Sequence, residues 1–170
     1  MSEPNSFDNA TKQENPDVIE VGIGDQVIAQ APSVLETTAM GPCIGIFVYD
    51  ERIKEAMADH FAHPTGSVQI PGLAAFLDAT AARYSDKERI RIWVGGAAPD
   101  EKDFGNTATY DELKQKRSLV TDSLAERGFP SDRTTVRWSD SSSESLSMHL
   151  DLSTGEMEYN VEEEKPLHEE

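Results

Sequence analysis

The alternation of apolar and polar positions divides the chain into short strands and two helices. Val18 to Val21 and Gln26 to Ala29 are strand-like, with Gly22 and Gly24 between them. After the turn signal Ala31-Pro32-Ser33, Val34 to Thr38 reads as a short strand. A run of β-formers follows at Ile44, Ile46, Phe47, Val48 and Tyr49. Ile70, Leu73, Ala74, Leu77, Ala81 and Tyr84 recur at helical spacing, which predicts an amphipathic helix over Pro71 to Tyr84 with proline at its start. Ile90, Ile92 and Val94 alternate with Arg89, Arg91 and Trp93 in a strand ending at Gly95-Gly96, and Pro99 to Thr107 reads as a polar loop. Tyr110, Leu113, Val120 and Leu124 mark one face of a second helix, stopped by Gly128 and Pro130. Thr134 to Trp138, Leu146 to Leu152 and Glu156 to Tyr159 complete the strands, the last two joined by a hairpin turn at Ser153-Thr154-Gly155. Lys54 to Phe61 is ambiguous, because its Lys, Glu, Ala and Met favour a helix. Two helices among many short strands predict an α+β domain.

At 170 residues the chain is long enough for one domain with a real core. We expect a domain over residues 18–161 between a disordered polar tail at 1–17 and an acidic tail at 162–170. No apolar run approaches the roughly 20 residues that span a bilayer, and Met1 to Asp17 lacks the apolar segment of a secretory signal. One cysteine cannot form an internal disulfide, which suits the cytoplasm. Fifteen Lys and Arg against 32 Asp and Glu give a formal net charge of −17, a surface that repels nucleic acid and anionic lipid. That charge fits either adaptation to a salty cytoplasm or an ordinary acidic protein with acidic tails.

Candidate chemistry concentrates between Glu36 and Pro64. Cys43, the only cysteine, follows a Gly41-Pro42 turn and opens the apolar run, and His60 and His63 lie downstream. A thiol at a turn-to-strand junction with a nearby imidazole is a candidate nucleophile–base pair. The competing reading is a small buried hydrophobe, the usual fate of a lone cysteine heading a core strand. Thr37 suits a pleated surface and by itself reads as a plain β-former. His60, His63, His149 and His168 do not form a metal-spacing cluster with Cys43. The Gly22-x-Gly24 pair has no helix pattern after it, so it reads as a bend rather than a phosphate loop.

Several stretches in one order carry a resemblance: Val21-Gly-Ile-Gly-Asp25, Thr37…Gly41-x-Cys43, His60-Phe-Ala-His-Pro64, Trp93-Val-Gly-Gly-Ala97 and Asp151-Leu-Ser-Thr-Gly-Glu-Met157. Over roughly residues 18–160 the chain resembles the chemoreceptor glutamine deamidases of chemotaxis, the CheD family. The resemblance implies stacked mixed β-sheets with helices packed outside, and makes Lys54 to Phe61 a strand paired with the Cys43 strand around Asp50 and Glu51. It implies Cys43 as nucleophile, His60 as proton shuttle and Thr37 as the group that orients the imidazole, with no metal or cofactor. In a regular strand His60 and His63 point to opposite faces, so only one of them could meet Cys43.

The implied activity is hydrolysis of glutamine side-chain amides to glutamate on methyl-accepting chemotaxis receptors, with a CheC-type phosphatase as a further partner. Two positions depart from the family pattern. Pro42 stands where serine is usual, and proline has no N–H to offer an oxyanion. Ser139 to Ser145 lacks the glycine and arginine of the family's corresponding segment. These departures keep two alternatives open: a regulator that binds receptor or phosphatase with weak or no turnover, and a deamidase of another protein.

The charge generates a prediction of its own. Screening of self-repulsion should raise the melting temperature as KCl is added, mostly over the first few tenths molar, where the Debye length falls below about 8 Å. A melting temperature that is flat or falls with KCl would count against repulsion as a significant force in this chain.

Overall fold

The computed structural model describes residues 17–62, 69–99 and 107–163, the side chains of 107–109 excepted. The expected N-terminal tail up to residue 16, His63, His168, most of the Pro99–Thr107 loop and the last seven residues lie outside them. Among the described residues nine strands run in chain order as β1 (Val18–Glu20), β2 (Gln26–Gln30), β3 (Val34–Met40), β4 (Ile44–Asp50), β5 (Glu55–Phe61), β6 (Ile90–Gly96), β7 (Thr134–Trp138), β8 (Glu144–Asp151) and β9 (Glu156–Glu163). Among the described residues two α-helices, α1 (Leu73–Arg83) and α2 (Thr107–Glu126), fall on either side of β6 in the chain.

The strands form two mixed sheets, ordered β1-β3-β8-β9 and β2-β5-β4-β6-β7. Parallel pairing occurs between β1 and β3 and between β6 and β7, and the other ladders are antiparallel. β4 and β5 lie inside the larger sheet and are buried at every position. Side chains alternate across a strand, so this hairpin supplies two cores. Ile44, Ile46, Val48, Met57 and Phe61 face the helices and pack with Leu73, Phe76, Leu77, Leu113, Val120 and Leu124. Phe47, Tyr49, Ala56 and Ala58 face the smaller sheet and pack with Leu35, Met40, Leu146, Met148 and Leu150. Each large apolar side chain so buried stabilises the fold by about 2 kcal/mol. The architecture is therefore the expected α+β one, stacked mixed sheets with the helices outside.

The burial of both faces explains why Glu55–Phe61 is a strand despite its helix formers: tertiary context overrides a propensity worth only tenths of a kcal/mol per residue. Other elements shift at their ends. α1 begins two residues after Pro71, behind Gly72 at φ 85°, and α2 begins at Thr107, ahead of Tyr110. β9 runs on to Glu163 rather than stopping at Tyr159, because β8 begins at Glu144 and pairs with it there. β3 continues to Met40 through an irregularity between Thr37 and Met40, where Ala39 has φ 57°. No helix among the described residues is long and apolar enough to cross a membrane.

One buried carboxylate ties β2, β5 and α1 together. Glu55 accepts hydrogen bonds from Arg83 Nε at 2.5 Å and Nη2 at 3.0 Å, from Gln30 Nε2 at 2.8 Å and from the Tyr84 hydroxyl at 2.8 Å. The Arg83 hydrogen bonds lead in lowering its pKa from 4.5 to about 2, against the opposing effect of burial. A carboxyl whose pKa is lower in the folded than in the unfolded state stabilises the fold above its unfolded value. That contribution is lost as pH falls from about 4.5 toward 2. Glu55→Gln should therefore cost about 2 kcal/mol at pH 7 and progressively less toward pH 3. Urea midpoints at the two pH values measure this, and a pH-independent difference would show that packing rather than charge is at stake.

Candidate active site

β4 and β5 place the first two residues. Cys43 immediately precedes β4, whose first residue, Ile44, pairs with Phe61 on one side and Gly96 on the other. The next pair is Gly45 with His60, so Cys43 stands at the register position two before the partner of His60. Their strand face is the one turned toward the smaller sheet. A Cβ on Gly45 would stand 2.7 Å from the Met40 sulfur, so the glycine leaves room for the Met40 side chain between the two sheets. Cys43 itself is half-buried.

His60 is 3% exposed, and the smaller sheet reaches it through Thr37, which is fully buried on β3. Thr37 Oγ1 lies 2.7 Å from His60 Nδ1 and donates a 2.7 Å hydrogen bond to the Val21 carbonyl. A hydroxyl has one proton, and the carbonyl can only accept. The Thr37 proton therefore goes to Val21, and His60 Nδ1–H donates to Thr37. This chain leaves the lone pair on Nε2. Nε2 is buried and has no hydrogen-bond partner. Burial lowers the His60 pKa below the usual 6.5, with the Val21 carbonyl and Asp25 pulling the other way. The imidazole is thus neutral near pH 7, with its basic nitrogen uncommitted.

Spacing alone did not reveal the support of this arrangement. The Val21–Asp25 segment, expected as a bend between strands, is clamped onto its neighbours. Val21 N–H donates to the Glu36 carbonyl at 2.8 Å, Gly24 N–H to the His60 carbonyl at 2.8 Å, and Gly22 N–H to Asp25 Oδ2 at 3.1 Å. It delivers the carbonyl that sets the His60 tautomer. Gly96, expected only as a strand end, has φ +103°, and a Cβ there would stand 2.1 Å from the Cys43 carbonyl oxygen. Ala97 N–H donates to that same oxygen at 2.8 Å. Ser139, at the head of the serine-rich segment, is buried and donates its N–H to the Gly96 carbonyl at 2.8 Å. Among the described residues no group of three or more His, Cys, Asp or Glu side chains is placed to hold a metal ion. His149 stands elsewhere, its Nδ1 4.0 Å from Glu36 Oε2.

Comparison with known proteins adds a family to this geometry. A probable chemoreceptor glutamine deamidase CheD of Haloarcula marismortui is 27% identical over 128 residues, covering 70% of this chain and 73% of that protein. The chemoreceptor glutamine deamidase CheD of Bacillus licheniformis is 33% identical over 69 residues, covering 41% of this chain and 38% of that protein. Its Bacillus subtilis counterpart is 32% identical over the same length, covering 41% and 39%. The chain is similar in sequence to these CheD proteins. No family model matches it, and the chain spans less than half the length of the two Bacillus relatives. Among solved structures, the Bacillus licheniformis hypothetical protein YfiH gives a TM-score of 0.46 at 18% identity, covering 70% of this chain and 52% of that one.

The hydrogen-bond chain can be checked without any substrate. Nitrogen-15 NMR should report His60 as the Nδ1–H tautomer at pH 7, still neutral below the usual histidine range. Thr37→Val, which removes the acceptor, should abolish that preference. A wild-type ring protonated at Nε2 would overturn the assignment.

Proposed function

We propose that the chain is a protein-glutamine deamidase acting in chemotaxis, with methyl-accepting receptors as its substrates. The observation that carries this reading is the buried Val21–Thr37–His60 relay, which ends in an unpartnered basic nitrogen on the strand next to Cys43. The names of the CheD relatives supply the substrate class.

In the reaction, His60 Nε2 takes the proton of the Cys43 thiol, and the thiolate sulfur attacks the amide carbon of a glutamine side chain. The tetrahedral intermediate collapses as the imidazolium returns that proton to the departing nitrogen, which leaves as ammonia. A thioester remains on Cys43. Water, deprotonated by the same Nε2, attacks the thioester, and glutamate and the thiol are regenerated. Thr37 holds the ring in the tautomer that both half-reactions require, because only a free Nε2 lone pair can accept the first proton. Pro42 cannot donate to the oxyanion, so the donors must come from other main-chain N–H groups around the turn. A CheC-type phosphatase is the further partner of this reading.

Mass spectrometry of a receptor cytoplasmic segment incubated with the protein tests the proposal through glutamine-to-glutamate conversion. Cys43→Ala should abolish conversion with the fold intact, and His60→Ala should slow it by about 10²-fold or more. Conversion by Cys43→Ala at the wild-type rate would make the cysteine a structural residue and the mechanism wrong.

A further inference from the structure

Behind the Cys43 turn lies a half-buried arginine that the mechanism does not use. Arg117 projects from α2 across the end of β6, and its Nη2 donates to the carbonyls of Ala97 and Ser139, both at 2.7 Å. The guanidinium stacks over Trp138 at 5.5 Å, and among the described residues it forms no ion pair with a carboxylate. Its Nε is buried without a hydrogen-bond partner, as is the neighbouring Ser139 Oγ. Burial lowers its pKa, with Tyr110 and Asp140 opposing. Dry polar atoms left unpaired are costly, and a methionine would fill the same space without that cost.

Of the two carbonyls it holds, Ala97 O is one peptide away from the turn, and Ser139 O anchors the residue whose own N–H reaches β6. The peptide whose oxygen is Ala97 O carries the Ala98 N–H, which donates to the Gly41 carbonyl at 2.9 Å. Ser139 N–H donates to the Gly96 carbonyl, and that peptide carries the Ala97 N–H that bonds the Cys43 carbonyl at 2.8 Å. The guanidinium thus grips the relay that ends on Gly41 directly through the Ala97 peptide, and holds in place the Ser139 residue from which the second one, ending on Cys43, starts. A donor bound to a peptide oxygen polarises the N–H at its other end, so the positive charge reaches the turn through hydrogen bonds as well as through space.

We propose that Arg117 is a positioning residue for Cys43, holding the Gly41-Pro42-Cys43 turn in place and supplying the positive charge that keeps the thiol reactive. The proposal rests on the reading of Cys43 as nucleophile. Pro42, which has no N–H of its own to tie the turn down, gives such an external clamp its use. A fixed cation held behind the turn, in a medium of effective dielectric well below that of water, favours the thiolate over the thiol.

Iodoacetamide alkylation of Cys43 at pH 7.5 tests this without a receptor, because the chain has one cysteine. Arg117→Met should slow alkylation about fivefold, and Arg117→Lys, which keeps the charge, should stay within about twofold of wild type. Arg117→Gln keeps a donor and loses the charge, and serves if Arg117→Met does not fold; it should slow alkylation as the methionine does. On a receptor segment, kcat should fall more than tenfold with KM nearly unchanged. Alkylation in folded Arg117→Met or Arg117→Gln as fast as in wild type, or faster, overturns the proposal whatever the turnover. A wild type that converts no glutamine, but whose alkylation still depends on the Arg117 charge, overturns the deamidase reading and leaves the clamp standing.

Discussion

The β4–β5 hairpin is buried on both faces, and the other elements serve to cover one face or the other. α1 and α2 close over Ile44, Ile46, Val48, Met57 and Phe61, while the β1-β3-β8-β9 sheet closes over Phe47, Tyr49, Ala56 and Ala58. Polar groups on such a hairpin must find partners inside the protein or carry a desolvation cost. Glu55 meets this demand with Arg83, Gln30 and Tyr84 on the helix side. His60 meets it only in part, through Thr37 on the sheet side, and leaves Nε2 unsatisfied. An unsatisfied basic nitrogen on a buried hairpin is where chemistry can be done.

The site joins elements that are close in space because the sheets stack. Thr37 comes from the smaller sheet, His60 from the larger, and Val21 from the segment between β1 and β2 that bridges them. The contact depends on close approach at the same end of the sandwich, where Gly45 gives way to the Met40 side chain. Gly96 lets the β6 end run against the Cys43 carbonyl.

Pro42 and the serine-rich segment meet in one place. Pro42 leaves the turn without an N–H, and Ser139 begins a segment without glycine or arginine, yet Ser139 N–H and the α2 arginine both tie into the peptides behind that turn. An arginine distant in sequence thus stands behind the turn in a region whose own segment has none.

Much of the fold was legible along the chain because burial leaves a periodic mark. Period-two runs located most of the strands, and Leu73, Leu77, Leu113, Val120 and Leu124 at helical spacing located both helices. Glu55–Phe61 showed no such mark, since a strand buried on both faces need not alternate, and only the resemblance read it as a strand. The same resemblance pointed to Thr37, Cys43 and His60, residues whose spacing alone reads equally well as core. What only the tertiary structure decided is which atoms meet: the Val21 carbonyl that takes the Thr37 proton, the Gly96 backbone against the Cys43 carbonyl, and Arg117 behind Ala97 and Ser139. Each of these contacts joins segments distant in the chain through main-chain groups that every residue carries, so no residue type announces them. They exist only once two sheets and a helix have packed to a fixed separation.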